Sequence, residues 1–190
     1  MEIGLIISLA VVLFSIFYLV MLYNGLVSLK HAVSKHLANI DVLLKQRHDE
    51  LPKLIETCKQ YMKHEQETLS KVITARQQVS VAQSNHDMIA LGQAETNLRA
   101  STGQLFALAE NYPELKADSS FAALQNRISE LENAIADRRE VYNEAVNNNN
   151  VRIEQFPDVI IARWFRFHAF DLLKFAKSEV QDVDIKSLFN

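Results

Sequence analysis

The side chains best suited to acid–base, nucleophilic or metal chemistry in this 190-residue chain are six histidines (His31, His36, His48, His64, His86 and His168), the single Cys58 and the pair His64-Glu65. Their spacing assembles none of the familiar sites. A zinc-binding helix carries H-E-x-x-H, and His64-Glu65 lacks the second histidine. His31 and His36 are five residues apart, which offsets them around a helix, and Cys58 has no second thiol with which to hold zinc. Neither a glycine-rich phosphate loop nor a G-x-S-x-G turn occurs. The motif census therefore predicts a non-enzyme with no catalytic residue, no cofactor and no metal ligand. A His64–Glu65 acid–base pair set in a groove is the one enzymatic arrangement left open.

A second kind of chemistry sits near the C-terminus. Across residues 158–177, Trp164, Phe165, Phe167 and further apolar residues alternate with Arg163, Arg166, Lys174 and Lys177; these four basic side chains against Asp158 and Asp171 give a net charge of +2. Aromatic anchors with basic neighbours suit either the interfacial layer of a membrane or a fourth helix that caps the bundle or fills the groove of a neighbouring subunit. Trp164, Phe165, Phe167, Arg163 and Arg166 are thus the candidate oligomer or membrane interface. Residues 178–190 are polar and expected to fray.

The elements that must position these groups are helical. Four glycines and three prolines leave few places to turn, so the class is all-α. Residues 3–23 contain no charge and no proline, and at 21 residues they are long enough to cross a bilayer as a helix. A basic n-region and an A-x-A cleavage pattern are both missing, so the segment reads as an uncleaved transmembrane anchor. Lys30, Lys35, Lys45 and Arg47 follow it, against Asp41, which predicts that the bulk of the chain is cytoplasmic. The net charge of −3, spread over both signs, argues against nucleic acid as a partner.

From Leu26 onward apolar residues recur at alternating spacings of three and four, the mark of a helix burying one stripe. One row reads Leu26, Val33, Ile40, Arg47, Leu54, Tyr61; the other reads Leu37, Leu44, Leu51, Cys58, Glu65, Val72, Val79. This predicts one helix to Val79, roughly 80 Å long, kinked or restarted at Pro52. A second helix carries Leu91, Leu98 and Leu105 after a turn over residues 83–87 and stops before Pro113. After a connector over residues 114–117, a third, capped by Asp118, Ser119 or Ser120, carries Phe121, Ile128, Ile135, Tyr142, Asn149 and Phe156 in one row. The Asn147-Asn148-Asn149-Asn150 run is its weak point, since Asn favours turns. Three alternating helices would leave Phe156 far from the membrane, which favours packing of the last segment on protein. A second row of the third helix reads Leu124, Leu131, Arg138, Ala145, Arg152. The polar positions of the bundle are Arg47, Glu65, Arg138, Tyr142 and Asn143: Arg47 and Glu65 read as snorkelling to solvent or pairing with neighbouring helices, Tyr142 and Asn143 as hydrogen-bonded side chains that fix helix register.

Several blocks resemble the LemA family. They include Tyr23-Asn24-x-Leu26-Val27, Ile40-Asp41-Val42-x-Leu44-Lys45-x-Arg47, Leu51-Pro52-x-Leu54, Glu110-x-Tyr112-Pro113-x-Leu115-Lys116-Ala117, Arg138-Arg139-x-x-Tyr142-Asn143-x-Ala145-Val146 and Phe156-Pro157. Three positions depart from the family pattern: Asn149-Asn150 in place of a second Tyr-Asn pair, Glu50-Leu51 before the proline, and Arg166 in place of a glycine. The resemblance implies a single anchor in a bacterial plasma membrane, a cytoplasmic antiparallel helical bundle and no established enzymatic activity. The expected organisation is an anchor over 1–25, a LemA-like bundle over 26–157 and an aromatic, basic segment over 158–190.

Two functional readings follow. In the first, the bundle self-associates into a homo-oligomeric scaffold that organises or curves the lipid bilayer, because helices of unequal length leave part of the first one uncovered. In the second, the protein is an adaptor presenting its bundle to another membrane protein, such as a protease or sensor kinase.

Overall fold

A computed structural model describes residues 2–174, and among these all regular structure is helical. The helices are α1 (Glu2–Tyr61), α2 (Gln66–Ser84), α3 (Met88–Ala109), α4 (Pro113–Lys116), α5 (Ser119–Glu154) and α6 (Asp158–Trp164). The expected polar tail over 178–190 lies outside the described residues. The chain forms two units. One is built from residues 2–42 and Ala136–Leu172, the other from Leu43–Ile135 together with Leu173 and Lys174, so α1 and α5 contribute to both.

The second unit is a four-helix bundle. Its core is built from the apolar rows: Leu44, Leu51, Leu54 and Cys58 of α1, Leu69, Val72 and Val79 of α2, Leu91, Leu98 and Leu105 of α3, and Phe121, Ile128 and Leu131 of α5, all buried. Hydrogen bonds fix the directions. Arg127 donates to Gln46 and Tyr61 to Asp118, so α5 runs against α1, while the pairs Arg47–Glu95 and Tyr112–Glu65 show α3 running with it. Asp118 accepts from the N–H groups of Ser120 and Phe121 and so caps α5, and Asp87 caps α3 through Ile89 and Ala90. The Tyr61 hydroxyl, followed by these N–H groups, holds the Asp118 carboxyl below its usual range.

The expected first helix is in fact two. α1 ends at Tyr61 and the chain turns back through residues 62–65, so the row from Leu69 to Val79 packs beside α1 instead of extending it. Met62 is wholly buried at the corner and Glu65, the polar member of its row, accepts from Tyr112. The stripe on α1 is also covered within the chain, from Leu22 through Leu26, Val33, Ile40, Leu44, Leu51, Leu54 and Cys58. The uncovered first helix expected from unequal helix lengths is therefore not found; a fourth long helix supplies the missing cover.

Two polar features are solved inside this unit. Pro52 lies within α1 and can donate nothing to the carbonyl four residues back, that of His48. Arg76 of α2 replaces the missing donor: its Nε binds the His48 carbonyl at 3.0 Å and its Nη2 lies 2.6 Å from His48 Nε2. Since a guanidinium only donates, the imidazole accepts and is neutral. Burial, then the Arg76 charge, hold His48 below its ordinary value. The unfolded chain thus binds that proton more readily, and this part of the stability is full above pH about 6.5 and lost as the pH falls below it. Arg47, the polar member of the other row, pairs with Glu95 of α3, both side chains 3% exposed. Cys58 is buried, and desolvation pushes its thiol up to about 12, the state of an inert core residue.

Two predictions follow from these contacts. Arg76→Ala should cost about 1–3 kcal/mol through the orphaned carbonyl. In a Pro52→Ala background, which restores the helical donor, the cost should shrink; additive losses in a double-mutant cycle by denaturant unfolding would refute the compensation. Glu95→Ala should cost about 3–5 kcal/mol by stranding a buried guanidinium, and Arg47→Met with Glu95→Leu should cost far less. Equal losses for the two variants, measured by thermal unfolding, would show that the ion pair is itself the stabilising element.

Candidate functional site

The first unit holds the residues singled out at the C-terminus. Every residue of α1 from Glu2 to Met21 is exposed, and burial begins abruptly at Leu22. Leu22 and Leu26 form an apolar cluster with Ile161 and Ala162 of α6, against which Ile153 and Phe167 pack. The Tyr23 ring packs tilted against Phe165 at 4.7 Å and edge-to-face with Phe167 at 5.9 Å, centroid to centroid. The last segment therefore lies against the part of α1 that follows its uncharged run. The expectation that alternating helices leave it far from that run fails, because α5 is the fourth long helix and not the third.

The geometry of this collar comes from its own local chemistry. α6 closes in a C-terminal motif in which Phe167 N–H donates to the Ala162 carbonyl at 2.9 Å and Arg166 N–H to the Arg163 carbonyl at 3.3 Å. Such a motif requires one left-handed residue, normally glycine. Here it is Arg166, at φ 57°. The departure from the family pattern noted at this position thus falls on the single residue of the turn where a side chain is conformationally disfavoured.

From there residues 167–171 run back along α5, held by its polar side chains. Asn150 pairs with Phe170 twice, donating to its carbonyl and accepting from its N–H, each at 2.9 Å. Asn149 donates to the His168 carbonyl at 3.3 Å, and the Tyr142 hydroxyl to the Asp171 carbonyl at 3.0 Å. Burial, with the Asp171 charge adding to it, raises the Tyr142 phenol above its usual value and keeps it a donor. The asparagine run does not break α5, because two of its members bind the returning chain. Arg152 anchors the start of α6 by donating to the buried Asp158 at 2.7 Å.

The candidate interface residues separate into two groups. Phe167 turns partly inward against the Leu22–Leu26 cluster. Trp164 is 80% and Phe165 55% exposed, with Arg163 and Arg166 exposed beside them. Of the bundle positions, Arg47 and Glu65 take the partners described above, Tyr142 holds the tail, Asn143 is half-buried and Arg138 is exposed. An open pocket of about 260 Å³ lies between α1 and the returning segment, lined by Tyr23, Val27, Lys30, His31, Asn149, Phe165, Arg166, Phe167, His168 and Phe170. Lys30 was read from the sequence only as a charge following the uncharged run and His31 only as a histidine without a metal partner; nothing in their spacing placed them beside the C-terminal segment. Among the described residues, no three His, Cys, Asp or Glu side chains converge as metal ligands.

Residues 36–186 match the sequence profile of the LemA family. Two curated relatives are the magnetosome proteins MamQ 1 and MamQ 2 of Paramagnetospirillum magneticum, each 32% identical over 68 residues, or 36% of this chain and 25% of theirs. The matched stretch thus spans about a quarter of the length of these relatives. The family match instead runs from the middle of α1, through the bundle and α5, and past the aromatic collar, and on that extent the chain belongs to the LemA family.

Proposed function

We propose that this protein is a non-enzymatic, single-pass membrane protein of the bacterial plasma membrane. Its cytoplasmic bundle associates side by side with other copies into a scaffold that organises or curves the bilayer. The anchor is the exposed part of α1: residues 3–21 measure about 28 Å as a helix, close to the hydrocarbon thickness of a bilayer. Lys30, Lys35 and Lys45, all exposed after the span, orient it.

The observation that carries self-association is the outer face of α2 and α3. Thr74, Gln77, Gln78 and Val81 of α2 and Gln93 and Asn97 of α3 are exposed along one shallow groove. The only charged residue lining that groove is Asp87, which caps α3, in a chain whose residues are 23% charged. Val81 at 52% and Ile89 at 69% exposure add apolar area at the hairpin end. Interface cores are depleted of charge in this way. Anchoring confines copies to a plane, so weak contacts act at high effective concentration.

The test is the mass of the full chain in lipid nanodiscs. The expected result is a uniform homo-oligomer that Gln78→Glu combined with Asn97→Glu dissociates while helix content is retained. A monomeric full chain, or a double variant that assembles normally, would remove the α2–α3 scaffold; co-purification of one other membrane protein with that monomer would put the adaptor reading in its place.

A further inference from the structure

Beside the aromatic collar, the pocket on α1 has a chemistry that neither bundle packing nor self-association uses. Lys30 and Arg166 flank it, His31 and His168 add two imidazoles, and no carboxylate is among its lining residues. Tyr23 and Phe165 form its other wall. On one side stand Trp164 and Phe165, large rings left in contact with solvent; immediately preceding Leu22 on α1 is the uncovered apolar run.

We propose that this pocket receives the phosphate-bearing headgroup of an anionic phospholipid, with Trp164 and Phe165 seated in the interfacial layer beside it. The proposal rests on the anchored reading above and adds a ligand to it. A phosphate engages an arginine through paired N–H donors and a lysine as a point charge. Aromatic rings with an apolar body and polar surroundings belong at headgroup depth, where Tyr23 ends the span. A free anion would satisfy the cations alone. A lipid satisfies the cations, covers the exposed rings and extends its acyl chains along residues 3–21.

The conformation of Arg166 is the most pointed argument. At φ 57° the position favours glycine, and glycine would complete the same turn without a disfavoured side chain. What arginine adds there is a guanidinium at the mouth of the pocket. Residues held in disfavoured backbone regions cluster at ligand sites, and this one lies in a pocket of matching charge.

Trp164 is the only tryptophan of the chain and immediately precedes Phe165 and Arg166 of the pocket lining, so its fluorescence reports on the surface beside the site. The full chain in a neutral detergent is titrated with dihexanoyl-phosphatidylglycerol, dihexanoyl-phosphatidylcholine or sodium phosphate while its fluorescence is followed. Phosphatidylglycerol should give a saturable shift to shorter wavelength, and the other two should not at equal concentration. Arg166→Gly should weaken the response about tenfold, the effect of one lost charge-assisted contact, without lowering the melting temperature. Lys71→Ala, an equal charge loss on exposed α2, should leave it unchanged. Equal responses to both lipids, a phosphate response matching that of the lipid, wild-type binding by Arg166→Gly, or equal weakening by Lys71→Ala would each overturn the assignment. Short-chain lipids do not require a bilayer, so these outcomes are separate from the anchored reading, which instead fails if alkaline carbonate releases the chain from membranes.

Discussion

A helix whose early residues are apolar all round can continue into water only if, from some residue onward, one stripe is covered and the rest is polar. In α1 that change occurs between Met21, 58% exposed, and Leu22, 7% exposed. A backbone that satisfies its own hydrogen bonds needs no linker to make the transition, but every apolar side chain after it needs a partner. Leu22 and Leu26 find theirs in α6, while Leu44, Leu51, Leu54 and Cys58 lie in the core shared with α2, α3 and α5. Covering this one stripe explains why the chain folds back as often as it does.

The polar members of the apolar rows locate the places where simple packing is interrupted. Arg47 marks a buried ion pair, Glu65 a reversal of the chain and Asn149 a side chain that holds another segment. Pro52 belongs with them, since its missing donor is replaced across the bundle by Arg76. Each interruption ties one helix to a particular neighbour in a particular register, which uniform leucine rows would leave undetermined.

Much of this was legible in the residues. Phase identified most of the core, but Phe156, placed in the row of Phe121 and Tyr142, is 81% exposed because α5 ends at Glu154 before reaching it. Asp118, Asp87 and Pro113 marked the ends of helices by recognisable capping and proline chemistry. The end of α1 was not legible, because Tyr61-Met62-Lys63-His64-Glu65 has no glycine or proline and the heptad runs on in phase through Val79. A helix that continues and a helix that folds back bury the same stripe, so periodicity cannot separate them. Missing that one reversal misplaced the C-terminal segment. The aromatic and basic residues were recognised as an interface from composition, but their neighbours on α1 depend on the number of long helices, and Asn150 acts through backbone groups that carry no sequence signature.

The cluster joining Leu22 and Leu26 to Ile161 and Ala162 also imposes an order of events during synthesis. At about 5–20 residues per second, Ile161 emerges about 7 to 27 seconds after Leu26. Throughout that interval the start of the stripe has no native cover. The bundle residues between them need no such delay, since α2 can fold against α1 as soon as it has left the ribosome. Closure of the collar is therefore a late event, and a nascent chain waiting for it presents bare apolar surface directly beside the uncharged run of α1.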